Sequence, residues 1–270
     1  MSLSRAGQLF FLVMLMPWMS HAAPAGPGLP ADAVSGYFIY AEGHDGASYG
    51  GPPASLTYQV HAVSYHGIPA WHISWGSLEM QADHYIRRSD GAPLYVKRVN
   101  HALKRTVEIR YSLNADIPHV YRMRSRDEYI ERKIRHPGLQ DIGALPQMLL
   151  GLQTLKAAKE IHFSSINYND GRVYDLLARR VGYSSVRATG KGIHCAIYEV
   201  NLDSWKKAFN TPMRLLIPTE AGYTNFTVYI GPNPDSTGKL LTLRLVGRNM
   251  DVASLDRGRL ANSGNTTATP

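Results

Sequence analysis

Apolar and polar residues alternate with a period of two through most of this chain. The clearest runs are residues 56–64, 68–75, 78–87, 94–99, 103–113, 119–124 and 129–134, followed by 161–166, 173–181, 193–202, 213–217, 223–230 and 240–247. Short alternating runs broken by Gly, Asn, Asp and Pro predict a mainly antiparallel sheet, either open or rolled toward a barrel. Tyr37-Phe38-Ile39-Tyr40 reads as an edge strand or a packed arm. One segment, 141–152, has helical spacing instead. Leu145, Met148, Leu149 and Leu152 share a face there, Asp141 stands as N-cap, and Pro146 falls in the first turn, where a missing amide is tolerated. A shorter helix or turn is expected over 203–209.

Two strands reveal which side of the sheet is apolar. Gly76-Ser77 fits a two-residue type II′ hairpin, which pairs Trp75 with Leu78, Ile73 with Met80 and Trp71 with Ala82. That register puts Trp71, Trp75, Ile86 and, against expectation for an apolar surface, His84 on one face. In 103–113, Leu103, Val107, Ile109, Tyr111 and Leu113 take one side, while Lys104, Thr106, Glu108, Arg110 and Ser112 take the other. A sheet with one apolar face must cover it. The expected fold is therefore mainly β, a large curved antiparallel sheet or partly open β-barrel packed on one central α-helix.

The N-terminal residues set the compartment. Arg5, the apolar run 9–16 and the closing Ser20-His21-Ala22 read as a signal peptide over 1–22, cut after Ala22, and the apolar run is too short to span a bilayer. The mature chain is expected in the periplasm, with a flexible segment over 23–54, a single β-rich domain over 55–248 and a disordered tail over 249–270. About 248 residues remain after cleavage, enough for one large core. No later stretch has the apolar length of a membrane span. Cys195 is the one cysteine, so no internal disulfide forms, and its alternation with Ile193 and Ile197 makes it a small buried apolar residue.

The formal charge of +8 and pI near 9.5 suit an anionic envelope partner, whether a lipid head group, a glycan or an acidic protein. Such a compartment argues against nucleic acid. The densest basic run holds Arg122, Arg124, Arg132 and Arg135, a candidate surface for that partner; Asp127, Glu128 and Glu131 interleave with it, so an ion-paired strand edge fits equally.

Catalytic signatures are sparse. No H-x-x-x-H, C-x-x-C or phosphate-loop pattern occurs, and no metal, cofactor or catalytic residue is assigned. His72 with Glu79 and Asp83 offers a general acid/base set for an envelope glycan hydrolase, and alternating polar residues on a solvated strand read the same way. Tyr58, Trp71 and Trp75, with His84, could line a cleft for an acyl chain or sugar ring, or could fill the core against Leu145, Met148 and Leu149. Val181-Gly182-Tyr183-Ser184 and Thr189-Gly190-Lys191-Gly192 read as turns.

Gly138-Leu139-Gln140-Asp141-Ile142-Gly143-Ala144-Leu145, set between two runs of strands, resembles the Gln-Asp helix segment of the exported bacterial family of domain of unknown function DUF3108. Gly67-Ile68-Pro69-Ala70 resembles that family's early hairpin, and the stretch from Tyr229-Ile230-Gly231-Pro232-Asn233-Pro234 to Leu240-Leu241-Thr242-Leu243-Arg244 its closing one. The likeness spans about residues 55–248 and implies a periplasmic, predominantly β protein with no established activity. The leading expectation is a non-enzymatic module that binds or chaperones an envelope lipid or glycan. The alternatives are the hydrolase above and a scaffold that docks an acidic partner through its basic surface.

Overall fold

The structure, a computed structural model, describes residues 36–44, 55–77, 79–146, 148–149, 159–188, 191–203, 212–219, 228–232 and 240–249. The signal segment 1–22, nearly all of the 203–209 segment and the tail beyond 249 lie outside them. The strands are β1 (Gly36–His44), β2 (Ser55–Tyr65), β3 (Ile68–Gly76), β4 (Met80–Arg87), β5 (Pro93–Asn100), β6 (Arg105–Arg110), β7 (His119–Arg124) and β8 (Tyr129–Ile134). After them come β9 (Leu139–Gln140), β10 (Glu160–Ile166), β11 (Val173–Ala188), β12 (Lys191–Leu202), β13 (Met213–Pro218), β14 (Val228–Pro232) and β15 (Leu240–Asn249). All fifteen form one sheet in the order 8-7-6-5-4-3-2-1-15-14-13-12-11-10-9. Every neighbouring pair is antiparallel except β9 with β10.

This order has a geometric consequence. The two edges of the sheet, β8 and β9, are consecutive in the chain and separated only by residues 135–138. Four residues span roughly 14 Å at most, so the sheet must curl until its edges face each other. Two hydrogen bonds cross the seam: Arg132 Nε donates to the Asp170 carbonyl at 2.8 Å, and the Tyr121 hydroxyl to the Tyr168 carbonyl at 2.9 Å. Gly171, at φ +69°, lies so close that a Cβ there would stand 2.4 Å from Tyr121 Cδ1. The result is a barrel-like sheet that removes most of its exposed edge.

Its concave side is the core. Inward residues of β2, β3, β10, β12 and β13, among them Tyr58, Trp71, Ile73, Phe163, Tyr198 and Leu215, pack on Ala144, Leu145 and Leu149 from the segment after β9. Val96, Ile109, Tyr121, Met123 and Ile166 form a second cluster beside it. Cys195 is fully buried with Ile193, and Val107, Ile109 and Tyr111 are buried as the alternation predicts. Leu103 and Leu113, assigned to the same face, lie beyond the ends of β6 and are about half exposed.

Four expectations change. The continuous helix over 141–152 is not seen: the described residues show a 3₁₀ turn at Ile142–Ala144, with helical residues at 145, 146, 148 and 149, and the rest lies outside them. The 76–77 hairpin is wider than two residues. Gly76 pairs with Gln81 and Trp75 with Ala82, because the Ser77 hydroxyl accepts from the amides of Glu79 and Met80 and Ser77 N bonds the Met80 carbonyl. The register moves by four residues, an even number, so Trp71, Trp75, His84 and Ile86 keep one face. Val181 to Ser184 is strand, not turn: β11 runs on to Ala188 through a bulge between Arg180 and Gly182, and Lys191-Gly192 opens β12. Finally, β1 lies within the segment read as flexible and is no edge strand; it joins β2 to β15 in the middle of the sheet.

Candidate functional site

Strand β4 carries the chemistry of the molecule on both of its faces. Alternation sends Ala82, His84 and Ile86 inward and Asp83 and Tyr85 outward.

On the inner face, Trp75 Nε1 donates to His84 Nε2 at 3.0 Å, and His84 Nδ1 meets Asp141 Oδ2 at 2.6 Å. An indole N–H can only donate, so Nε2 is the acceptor and the ring proton sits on Nδ1, directed at the carboxylate. The other carboxylate oxygen accepts from the Tyr168 hydroxyl and from Gly143 N at 3.1 Å. Burial pushes the Asp141 carboxyl up, yet the His84 ring, the Tyr168 hydroxyl and the Gly143 amide together hold it below the usual carboxylate range. Arg98, 5% exposed, stacks its guanidinium between the rings of Trp75 and Tyr168 at 4.8 and 4.3 Å. The Asp–His arrangement resembles that of a nucleophilic triad, but the position of the nucleophile is held by an indole, which has no reactive oxygen or sulfur to offer. What it does chemically is anchor the Asp141–Ala144 segment to the wall. Gly143 packs so tightly there that a Cβ would lie 2.1 Å from His84 Cε1.

The outer face of the same strands bears rings. His72 of β3 stacks on Tyr85 of β4 with centroids 4.5 Å apart and planes 10° from parallel. Tyr65 of β2 lies 4.6 Å from Tyr85 and 6.1 Å from Tyr95 of β5, and Tyr85 is 6.1 Å from Tyr95. All four are half-buried. Burial raises all three phenols, Tyr95 to about 12 with help from the Glu108 charge, so each keeps its proton and can donate. Beside the rings runs a ladder of alternating charge, Asp83, Lys97, Glu108, Arg122 and Glu131, in register across β4 to β8. His72 Nε2 bonds Asp83 Oδ1 at 2.8 Å, and this bond holds the Asp83 carboxyl low against its partial burial.

The residues singled out from sequence are distributed as follows. Tyr58, Trp71 and His84 are 2% exposed or less, and Trp75 is partly buried against the same core. The space beside Trp71 is a pocket of about 30 Å³, also lined by Ile86, Arg88, Gln140 and Met148. It is far below the roughly 300 Å³ at which small-molecule sites begin. His72 and Asp83 meet, while Glu79 sits in the exposed turn between β3 and β4, six positions along the chain from Tyr85 opposite His72, or roughly 20 Å. Arg122 pairs with Glu131 at 2.9 Å, Arg124 covers the Tyr129 ring, Arg132 is bonded across the seam, and Arg135 is exposed in the link after β8. The four arginines thus form no single free cluster. Among the described residues no three His, Cys, Asp or Glu side chains converge as a metal site would require.

Sequence reasoning singled out neither Arg98 nor Tyr168, and it took Asp141 for a cap. Asp141 does cap the 3₁₀ turn, through Gly143 N; its partnership with His84, 57 positions away, has no local signature. One signal was present: Arg98 follows Leu94 and Val96 at inward positions of β5, and a charge in that register asks for a buried partner.

No family model matches the chain, and neither does any curated protein. Among solved structures, the chain is similar to a β-barrel-like protein of domain of unknown function DUF1849 from Brucella abortus, at 13% identity and a TM-score of 0.48, over 82% of this chain and 99% of that one.

Proposed function

We propose that this protein is an exported, non-enzymatic binding module that holds an envelope glycan on the outer tyrosine face of β2 to β5. The observation that carries the reading is the contiguous set of outward rings, Tyr65, His72, Tyr85 and Tyr95, on a face that also bears Asp83, Lys97 and Glu108. Flat aromatic faces stack on the C–H faces of sugar rings, and the neighbouring Asp83, Lys97, Glu108 and Arg110 supply donors and acceptors for hydroxyls. Lipid is disfavoured by the described interior: the inward side chains of β2, β3, β10, β12 and β13 pack together, and the pocket beside Trp71, about 30 Å³, has no room for an acyl chain. The charged outer ladder is also the reverse of the apolar band a membrane-spanning barrel presents to lipid. The export reading rests on the 1–22 segment and the DUF3108 resemblance, which support a periplasmic module.

The test is calorimetric titration of the mature chain with neutral oligosaccharides, for the native protein and for Tyr85→Ala and Tyr95→Ala. Each substitution is expected to weaken binding by about tenfold or more, as loss of a central aromatic contact does, with an unchanged thermal midpoint. Equal affinity in all three proteins would refute the assignment of the face.

A further inference from the structure

We propose that the glycan is acidic and that its carboxylate seats in the pocket between Trp71 and Arg88; this rests on the glycan reading above and names the substrate class. The pocket and the tyrosine face share one rim of the barrel. The end of β4 lies beside the start of β3, with Arg87 opposite Ala70, and Tyr65, Tyr85 and Tyr95 all stand within three residues of the turns that follow β2 and β4. Tyr85 points out where Ile86 points into the pocket, so a chain lying on the rings reaches the pocket by crossing one strand end.

At the pocket wall, two donor side chains stand without a carboxylate partner among the described residues. Trp71 is 1% exposed and its Nε1–H has no acceptor, an arrangement that folded proteins rarely leave without a partner. The Arg88 guanidinium lies 4.9 Å over the Trp71 ring, and among the described residues no carboxylate pairs with it. Gln140 adds an amide. Both carboxylates of the pocket wall are already engaged. Asp90 accepts from Arg87 Nε at 2.8 Å, from Arg87 Nη2 and from Ala92 N at 3.1 Å; Asp141 accepts from His84, Tyr168 and Gly143. The Arg88 guanidinium, unpaired among the described residues, is the complement of a carboxylate; the Trp71 N–H is closed to solvent, and a small turn of the ring would bring it to the second oxygen. The 30 Å³ volume admits about two water-sized groups, which suits a carboxylate entering with its chain outside, and Ile86 and Met148 supply apolar walls for the carbon that bears it.

The experiment compares two probes on the mature protein: a β-linked N-acetylglucosamine oligomer, and the same backbone carrying lactyl carboxylates on alternate sugars. The acidic probe is expected to bind on the order of tenfold more tightly. Arg88→Gln should bring the ratio close to one, and so should Trp71→Phe, which keeps a ring in the core and removes the N–H. Equal affinity of the two probes for the native protein would overturn the carboxylate seat and leave the glycan reading standing, whereas failure of both probes, and of a peptide with a free C-terminal carboxylate, to bind would overturn the two together. Binding of a peptide with a free C-terminal carboxylate, but of neither sugar nor the peptide amide, would keep the seat and overturn the glycan as its occupant.

Discussion

Two histidine–aspartate pairs meet on β4, one on each face, and they have opposite meanings. His84 and Asp141, 2.6 Å apart, have side chains 0% and 1% exposed; His72 and Asp83, 2.8 Å apart, have side chains 23% and 43% exposed. Asp83 and His84 are adjacent in the chain, so strand geometry alone decides which residue enters which environment. In the interior, water cannot replace a lost partner, and removing one member leaves a buried charge or a buried orphan acceptor. On the outside, water and salt take over at once. The same pair of residue types is therefore an anchor on one face and an adjustable part of a binding surface on the other.

The largest way to break the comparison is Asp141→Ala, expected to destabilise by about 3–5 kcal/mol, read from denaturant midpoints, because His84 Nδ1, Tyr168 and the Gly143 amide lose their common acceptor. Lowering the pH should do the same more gently. The Asp141 carboxyl lies below its ordinary value in the folded chain, so the folded state binds fewer protons than the unfolded one; the stabilisation is complete above about pH 4 and is lost as pH falls through the folded value. Thermal midpoints taken from about pH 7 to pH 3 should show the loss, and Asp141→Asn should flatten it. Next in size is Gly143→Ala, about 1–3 kcal/mol, since the added methyl meets a His84 ring pinned from both nitrogens. The smallest effect belongs to the outer pair: His72→Ala should change stability by no more than about 1 kcal/mol. A loss from His72→Ala as large as that from Asp141→Ala would contradict the contrast between the faces.

Much of the sheet could be read from period-two alternation because each strand has one wet and one dry face; β7 and β8 match their predicted limits, and Val107, Ile109 and Cys195 are buried as their alternation requires. The placing of His84 among apolar neighbours was also visible, as an anomaly. What alternation cannot carry is pairing at a distance. It says that Tyr37 to Tyr40 is a strand, but the partnership of β1 with β15 comes from closure of the whole sheet. It misjudged the hairpin after Gly76 because the deciding contacts belong to the Ser77 hydroxyl. Asp141 looked like a cap because capping is local, whereas its bond to His84 spans 57 positions. The outer tyrosines went unnoticed because each sits alone in its own strand, and only the register across β2 to β5 assembles them.

The meeting of β1 with β15 also bears on how the chain must fold. Tyr37 stands opposite Asn249, the longest sequence separation in the sheet, while the two outer edges are joined by only four residues. A chain opened within 135–138 and joined from 249 to 36 would build the same sheet with every strand beside its sequence neighbour. In the native order, the pairing that closes the middle waits for both ends of the domain to be synthesised, so the slowest loop to close is also the one that turns two separate meanders into a single sheet.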